Sequence, residues 1–219
     1  GEELTFVIPW TPDAADEGET YIYGTVDFAA DEMVGNNQTA NLVLNVQPEG
    51  VVVVTIGAGT KLLYMPYNFL YDHSLSQSLY FPDEIGMTGG VITGLQYKST
   101  FNAPYLDRNI KIWIGETELT NLADGWVDPA SLQLVFDGTV DFPEGINDIF
   151  IPLDDIYIYG GGNLVIYSSK ADIEWSGSKQ FFGTETPNSN RSRRAQQDNT
   201  PMDPTNPPAG AANHDFPNI

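Results

Sequence analysis

The 219-residue chain carries 9 Lys and Arg against 30 Asp and Glu, a formal charge of −21, with 41% hydrophobic and 12% aromatic residues. That apolar content can build a core and argues against global disorder, while so acidic a surface repels phosphate backbones and anionic headgroups, so neither nucleic acid nor membrane insertion is expected. Cys is absent, which excludes disulfides and thiolate metal sites, and no apolar run reaches the ~18–20 residues of a membrane helix.

Helical periodicity is nearly missing, and period-two alternation replaces it. No basic-then-apolar leader opens the chain; a strand-like "LTFVIPW" stands at its start, which reads as a piece of a longer polypeptide. "TYIYGTVDF" sets Tyr21, Tyr23 and Thr25 on one side and Ile22, Gly24 and Val26 on the other. "NLVLNV" aligns Leu42, Leu44 and Val46. "QPEG" at 47–50 then interrupts two apolar strands with Pro and Gly. About three strands precede it, too few to close a sandwich. The boundary is therefore set there: 1–48 as a partial Ig-like β-domain, 49–219 as the main β-sandwich.

Residues 64–86, "YMPYNFLYDHSLSQSLYFPDEIG", are crowded with aromatics. "SQSLYF" alternates, so Leu79 and Phe81 face one way and Tyr80 the other; with Ile85 they read as framework. Further strands are expected at 91–99, 147–153, 163–169, 179–184 and 191–196. "NIKIWIGE" alternates most cleanly, with Ile110, Ile112 and Ile114 inward and Asn109, Lys111 and Trp113 outward. "SLQLVFDG" repeats the pattern with Leu132, Leu134 and Phe136. Short strands at this spacing, with Gly, Pro, Asp and Asn between them, define an all-β sandwich. The polar, Pro-rich stretch 184–219 alone reads as linker or disorder, although "FPNI" suits the alternative of a long excursion returning to a final strand.

The stretch "LTFVIPW…LNVQP", with Trp10–Thr11–Pro12, Gly18 to Tyr23, and Glu32 to Asn37, resembles the second half of a CARDB-type Ig-like domain of bacterial cell-adhesion proteins. The pieces "IGAGT", "SQSLYFPDEIGMTGGVITGLQY", "NIKIWIGET", "LVFDGTVDFPEGIN", "GGGNLVIYSS" and "NRSRRAQQDN…PPAGAANHDFPNI" make most of 51–219 similar to a jelly-roll module of large secreted bacterial surface proteins, of the cleaved-adhesin and carbohydrate-binding-like kind. The resemblance implies a jelly-roll sandwich in a secreted, extracellular, cell-surface setting, with an adhesive or glycan-facing role. It implies no chemistry, and fold analogy alone is a weak warrant for function.

Candidate sites are few. On 64–71, Pro66 and Asn68 oppose regular structure, so Tyr64, Tyr67 and Tyr71 form a loop whose rings suit stacking on sugars. Trp126 and Trp175 are loop-flanked and join that ligand-binding set; the competing reading pins the same rings into the scaffold. Asp72–His73 and His214–Asp215 are poor bidentate ligand sets, because neighbours on a strand point opposite ways. Asp154–Asp155 and Asp13, Asp16 and Glu17 offer hard oxygens for a structural Ca²⁺ without EF-hand spacing; no other cofactor is expected. "GGG" at 160–162 reads as a turn rather than a phosphate cradle, with no helix or Lys after it. Arg191, Arg193 and Arg194 of "RSRR" read as the solvent face of a late strand, with a salt bridge to an acidic neighbour or a carboxylated sugar as the alternative. No HExxH, GxSxG or P-loop pattern occurs. The expected function is a non-catalytic structural or adhesion module, not an enzyme, with neighbouring domains or subunits as partners. A carbohydrate-binding module using the loop aromatics on glycans is the second reading.

Overall fold

In the computed structural model, the described residues are 5, 7–27, 35, 37–171 and 179–219. The chain divides after Val53 into two compact units. In the first, strands β1 (Gly18–Ile22) and β2 (Leu42–Val46) pair antiparallel, from Gly18 opposite Val46 to Ile22 opposite Leu42. An isolated bridge between Thr25 and Gln38 continues the ladder. These are the two strands among the described residues of this unit; the strand-like stretch at the chain's start lies partly outside them. A turn follows, in which the Val51 N–H donates to Pro48 O (3.1 Å) and Gly50 takes φ +89°.

The second unit, from Val54 to Ile219, is a β-sandwich. Its strands are β3 (Lys61–Leu63), β4 (His73–Tyr80), β5 (Gly90–Phe101), β6 (Tyr105–Thr117), β7 (Gln133–Phe142) and β8 (Gly145–Tyr159). They continue with β9 (Asn163–Ala171), β10 (Lys179–Glu185), β11 (Ser192–Gln197), β12 (Ala211–Asn213) and β13 (Asp215–Pro217), with a helical turn, α1 (Pro82–Ile85), and a 3-10 turn at Pro129–Ser131. One sheet runs β13-β10-β5-β8, with β3 also paired to β10. The other runs β12-β11-β4-β9-β6-β7. Every pairing is antiparallel.

Alternation explains the interior. Ile110, Ile112 and Ile114 all point into the core, which also takes Tyr97, Phe101, Phe142, Ile149, Ile151 and Phe181. At β7 the alternation breaks. Phe136 is buried in the core as expected, but Leu132 is buried on the opposite, outer side, Leu134 is exposed and Val135 is buried in its place. The cause is a β-bulge: Ile112 pairs with Phe136 and the next residue, Trp113, with Leu134. The extra residue shifts the period by one, so neighbours Val135 and Phe136 both turn inward.

The polar tail is folded, which overturns the linker reading. It supplies β11, β12 and β13, and Ile219 exchanges backbone hydrogen bonds with Ile56 (2.7 and 3.0 Å). Residues 198–210 and the loop 118–132 together cover the outer face of the six-stranded sheet. A second apolar cluster lies beneath them, made of Leu75, Leu79, Leu122, Val127, Leu132, Val165 and Tyr167, with Trp113, Trp126 and Met202 against it. Strand β4 is consequently buried along its whole length on both faces, so Leu79 and Tyr80 are both interior.

Candidate functional site

The 64–71 loop separates its aromatics. Asn68 makes the turn: its N–H donates to Ser74 Oγ (3.0 Å) and its Oδ1 accepts the Leu70 N–H (3.1 Å). The Ser76 hydroxyl ties down Pro66 O (2.8 Å). These bonds tuck the two rings flanking Asn68 into the sandwich. Tyr67 has no exposed surface; its ring lies about 6 Å from Phe142 and Phe181, and Phe69 meets Phe101, Tyr105 and Phe142 edge-on at 5.0–5.4 Å. Tyr67 is therefore core and does not reach a surface ligand. Burial pushes its hydroxyl well above the usual tyrosine range. Tyr64 and Tyr71 stay half-buried at the loop's two ends. Trp175 lies outside the described residues.

Trp126 takes a different position, half-buried in the outer layer. Its ring sits 5.8 Å from Tyr167, which in turn packs 5.2 Å from Trp113. The indole N–H donates to Pro208 O (2.6 Å), and Gly210 lies so close that a Cβ there would stand 2.8 Å from Trp126 Cζ2. Beside it opens a hollow of about 260 Å³ lined by Leu119, Asn121, Asp124, Gly125 and Trp126. The hollow brings one expected aromatic together with two polar side chains; Tyr64 and Tyr71 are not part of it.

The buried polar residues act as staples between chain segments. Arg193, 6% exposed, donates only to backbone carbonyls from two separate loops. Its Nε reaches Leu122 O (3.0 Å), Nη2 reaches Ala123 O (2.7 Å), and Nη1 bridges Ala209 O and Gly210 O (3.3 Å). Gln77 exchanges both of its amide bonds with the Val127 backbone (2.9 and 2.8 Å), as another strand residue would. The Tyr167 hydroxyl donates to Pro204 O (3.0 Å), and Leu122 N–H to Asn190 O (2.8 Å).

Arg191 is just as buried. Its guanidinium forks onto Glu84 (3.0 and 2.6 Å), donates twice to Leu79 O (3.1 and 2.7 Å), and lies 4.0 Å over Phe81 and 4.4 Å over Phe216. Partial burial alone would raise the Glu84 carboxyl. Its bonds to Arg191 and to the Phe81 N–H (2.8 Å) outweigh that and lower it. The solvent-face reading of Arg191 and Arg193 is thus overturned: both point inward, where distant carbonyls and one carboxylate satisfy them. Arg194, next to Arg193 in β11, is only half-buried.

The triple-glycine turn also has an internal purpose. The Glu116 carboxylate accepts the N–H groups of Gly160 (2.7 Å) and Gly162 (2.6 Å), and the Tyr157 hydroxyl donates to it (3.3 Å). A Cβ on Gly162 would stand 2.8 Å from a Glu116 oxygen, so a larger residue there would push the carboxylate end aside. Burial, then the Glu116 charge, pushes the Tyr157 hydroxyl up to about 12.

The two histidines are separate in role: His73 is buried at the start of β4, and His214 is exposed. Asp154 accepts the Asp137 N–H (3.0 Å), and Asp13 and Asp16 cap each other's turn. Among the described residues, no three His, Asp or Glu side chains gather to hold a metal ion, and no helix is long and apolar enough to cross a membrane. No protein-family model, curated protein or solved structure matches the chain.

The sequence reading missed Gln77 and Glu116, and it placed Arg193 on the solvent face. A signal existed for the first: in "HSLSQSLY" Gln77 alternates with Leu75 and Leu79, a polar side chain in the middle of the strand's apolar face. On a strand covered on both sides, such residues must find backbone partners.

Proposed function

We propose that this chain is a non-catalytic structural or adhesion module of a secreted bacterial surface protein, working beside neighbouring domains or subunits of a surface assembly. The observation that carries this reading is how the buried polar side chains spend their bonds. Arg191, Arg193, Gln77 and Glu116 each lock a loop onto a sheet, and each has its donors or acceptors occupied by the protein itself. Groups committed in this way make a rigid platform and do not turn over a substrate. The acidic exterior favours a solvated, well-separated surface. Antibodies against the protein, applied to intact and to permeabilised cells of the source organism, test it. Labelling of intact cells is expected; labelling only after permeabilisation refutes a surface role.

A second reading is carried by the Trp126 hollow, where an aromatic ring, Asn121 and Asp124 share one concavity, as in sites that stack a sugar ring and bond its hydroxyls. A glycan array comparing the protein with its Asp124→Ala variant tests this. Binding that the variant loses supports a glycan module; a blank array with folded protein removes it.

A further inference from the structure

The first unit leaves its apolar residues in water. Alternation on β1 and β2 puts Ile22 and Leu42 on one face and Tyr21 and Val43 on the other. Yet Leu42, Val43 and Tyr21 are 58%, 53% and 50% exposed, and Val7 and Ile8, on the segment before β1, are 88% and 84% exposed. A two-stranded sheet is marginal in water, and among the described residues the outer edges of β1 and β2 take no further strand. Exposed apolar faces of this kind mark an interaction surface.

Charge decides what covers it. None of the first 60 residues is Lys, Arg or His, whereas Asp13, Asp16, Glu17, Glu19, Asp27 and Glu49 surround the two strands. A second copy brings the same uncompensated acids to the contact, and like charges across an interface cost several kcal/mol. We infer that the first unit is a docking surface for a strand of a different polypeptide, with alternating apolar residues flanked by Lys or Arg. The strand adds to the β1 or β2 edge, its apolar side chains cover Ile22 and Leu42 or Tyr21 and Val43, and its cations meet the acidic rim. This rests on the scaffold reading above and names the chemistry of the scaffold's neighbour.

The test titrates the ¹⁵N-labelled full chain with three blocked synthetic peptides: alternating Val/Thr with Lys ends, the same with Glu ends, and Gly/Ser with Lys ends. Shifts confined to residues 18–26 and 38–46 are expected for the first peptide alone. Its affinity should exceed that of the other two by about tenfold or more and should weaken with salt. The Leu42→Asp/Val43→Asp double variant, which places a charge on each face, should lose this binding while the amide spectrum of 54–219 stays unchanged. Equal binding of all three peptides, no binding, or shifts spread over 54–219 overturns the inference. So does a concentration-dependent dimer through residues 18–46, which makes a second copy the occupant. The peptide readout is independent of where the protein resides, so its failure leaves the surface-labelling result standing.

Discussion

Replacing Arg191 by Ala tests the staple argument most directly. The substitution removes a two-point bond to Glu84, two bonds to Leu79 O, and the contact with the Phe81 and Phe216 rings. Removing one member of a buried pair costs about 3–5 kcal/mol, because the partner charge is stranded. The Glu84 side chain keeps 27% exposure, so water relieves part of that penalty. The expected loss is therefore near the lower bound, about 3 kcal/mol, from a total of roughly 5–15 kcal/mol for a domain of ordinary stability. Arg191→Lys keeps the charge without the fork and should lose less than Ala.

The sign of the pH effect follows from Glu84. Its folded pKa is lowered, so its contribution is present above the unfolded value and disappears as pH falls through the folded one. The gap between wild type and Arg191→Ala should thus narrow in acid. Urea unfolding followed by near-ultraviolet circular dichroism, at neutral pH and at stepwise lower pH, measures both quantities. A double-mutant cycle with Glu84→Ala isolates the pair. An Arg191→Ala loss under about 1 kcal/mol, or a gap that widens in acid, refutes the claim that this guanidinium closes the sandwich.

Gln77→Ala strands the Val127 N–H and C=O in a buried layer, at about 1–3 kcal/mol per group; hydrogen exchange at Val127 should accelerate and proteolysis within 118–132 should appear first. Tyr67→Phe should change stability by less than about 1 kcal/mol, because the buried hydroxyl meets no hydrogen-bond partner among the described residues; thermal melts check it. Gly183→Ala should destabilise by about 3 kcal/mol or more, since its Cβ would stand 2.7 Å from the backbone oxygen of Phe216 and 2.1 Å from Leu63 Cδ1. Gly94→Ala should cost far less in the same chemical denaturation, because there the obstacle is the movable ring of Phe150. Glu116→Gln should lower the Tyr157 pKa from about 12 without restoring its ordinary value, since burial remains; ¹³C NMR of labelled tyrosine follows it. Tyr157 favours the folded state below its unfolded pKa, and that contribution is lost as pH rises through the folded one.

The all-β class could be read from the chain because period two is a local property: Ile110, Ile112 and Ile114 announce their burial without reference to any other segment. What could not be read is what depends on distant partners. Leu134 turns outward only because of how β7 registers on β6. Arg191 and Arg193 look like surface charge until carbonyls from 79, 122–123 and 209–210 arrive to satisfy them. Tyr67 and Tyr71 are equal in the sequence, and the Asn68 turn, with the Ser76–Pro66 bond, sends Tyr67 inward. Of the expected ligand-facing aromatics, Trp126 meets a concavity, and it does so because the folded tail props it there.

Strand β4 has one more consequence. Its ladder partners, β9 and β11, both arrive roughly a hundred residues downstream, so neither neighbour exists when β4 is made. An emerging chain must carry this strand unpaired through much of its synthesis. Its run of Ser and Gln then becomes an advantage: the hydroxyls and amide keep a waiting strand wetted, and yield their water only when the late segments close over it.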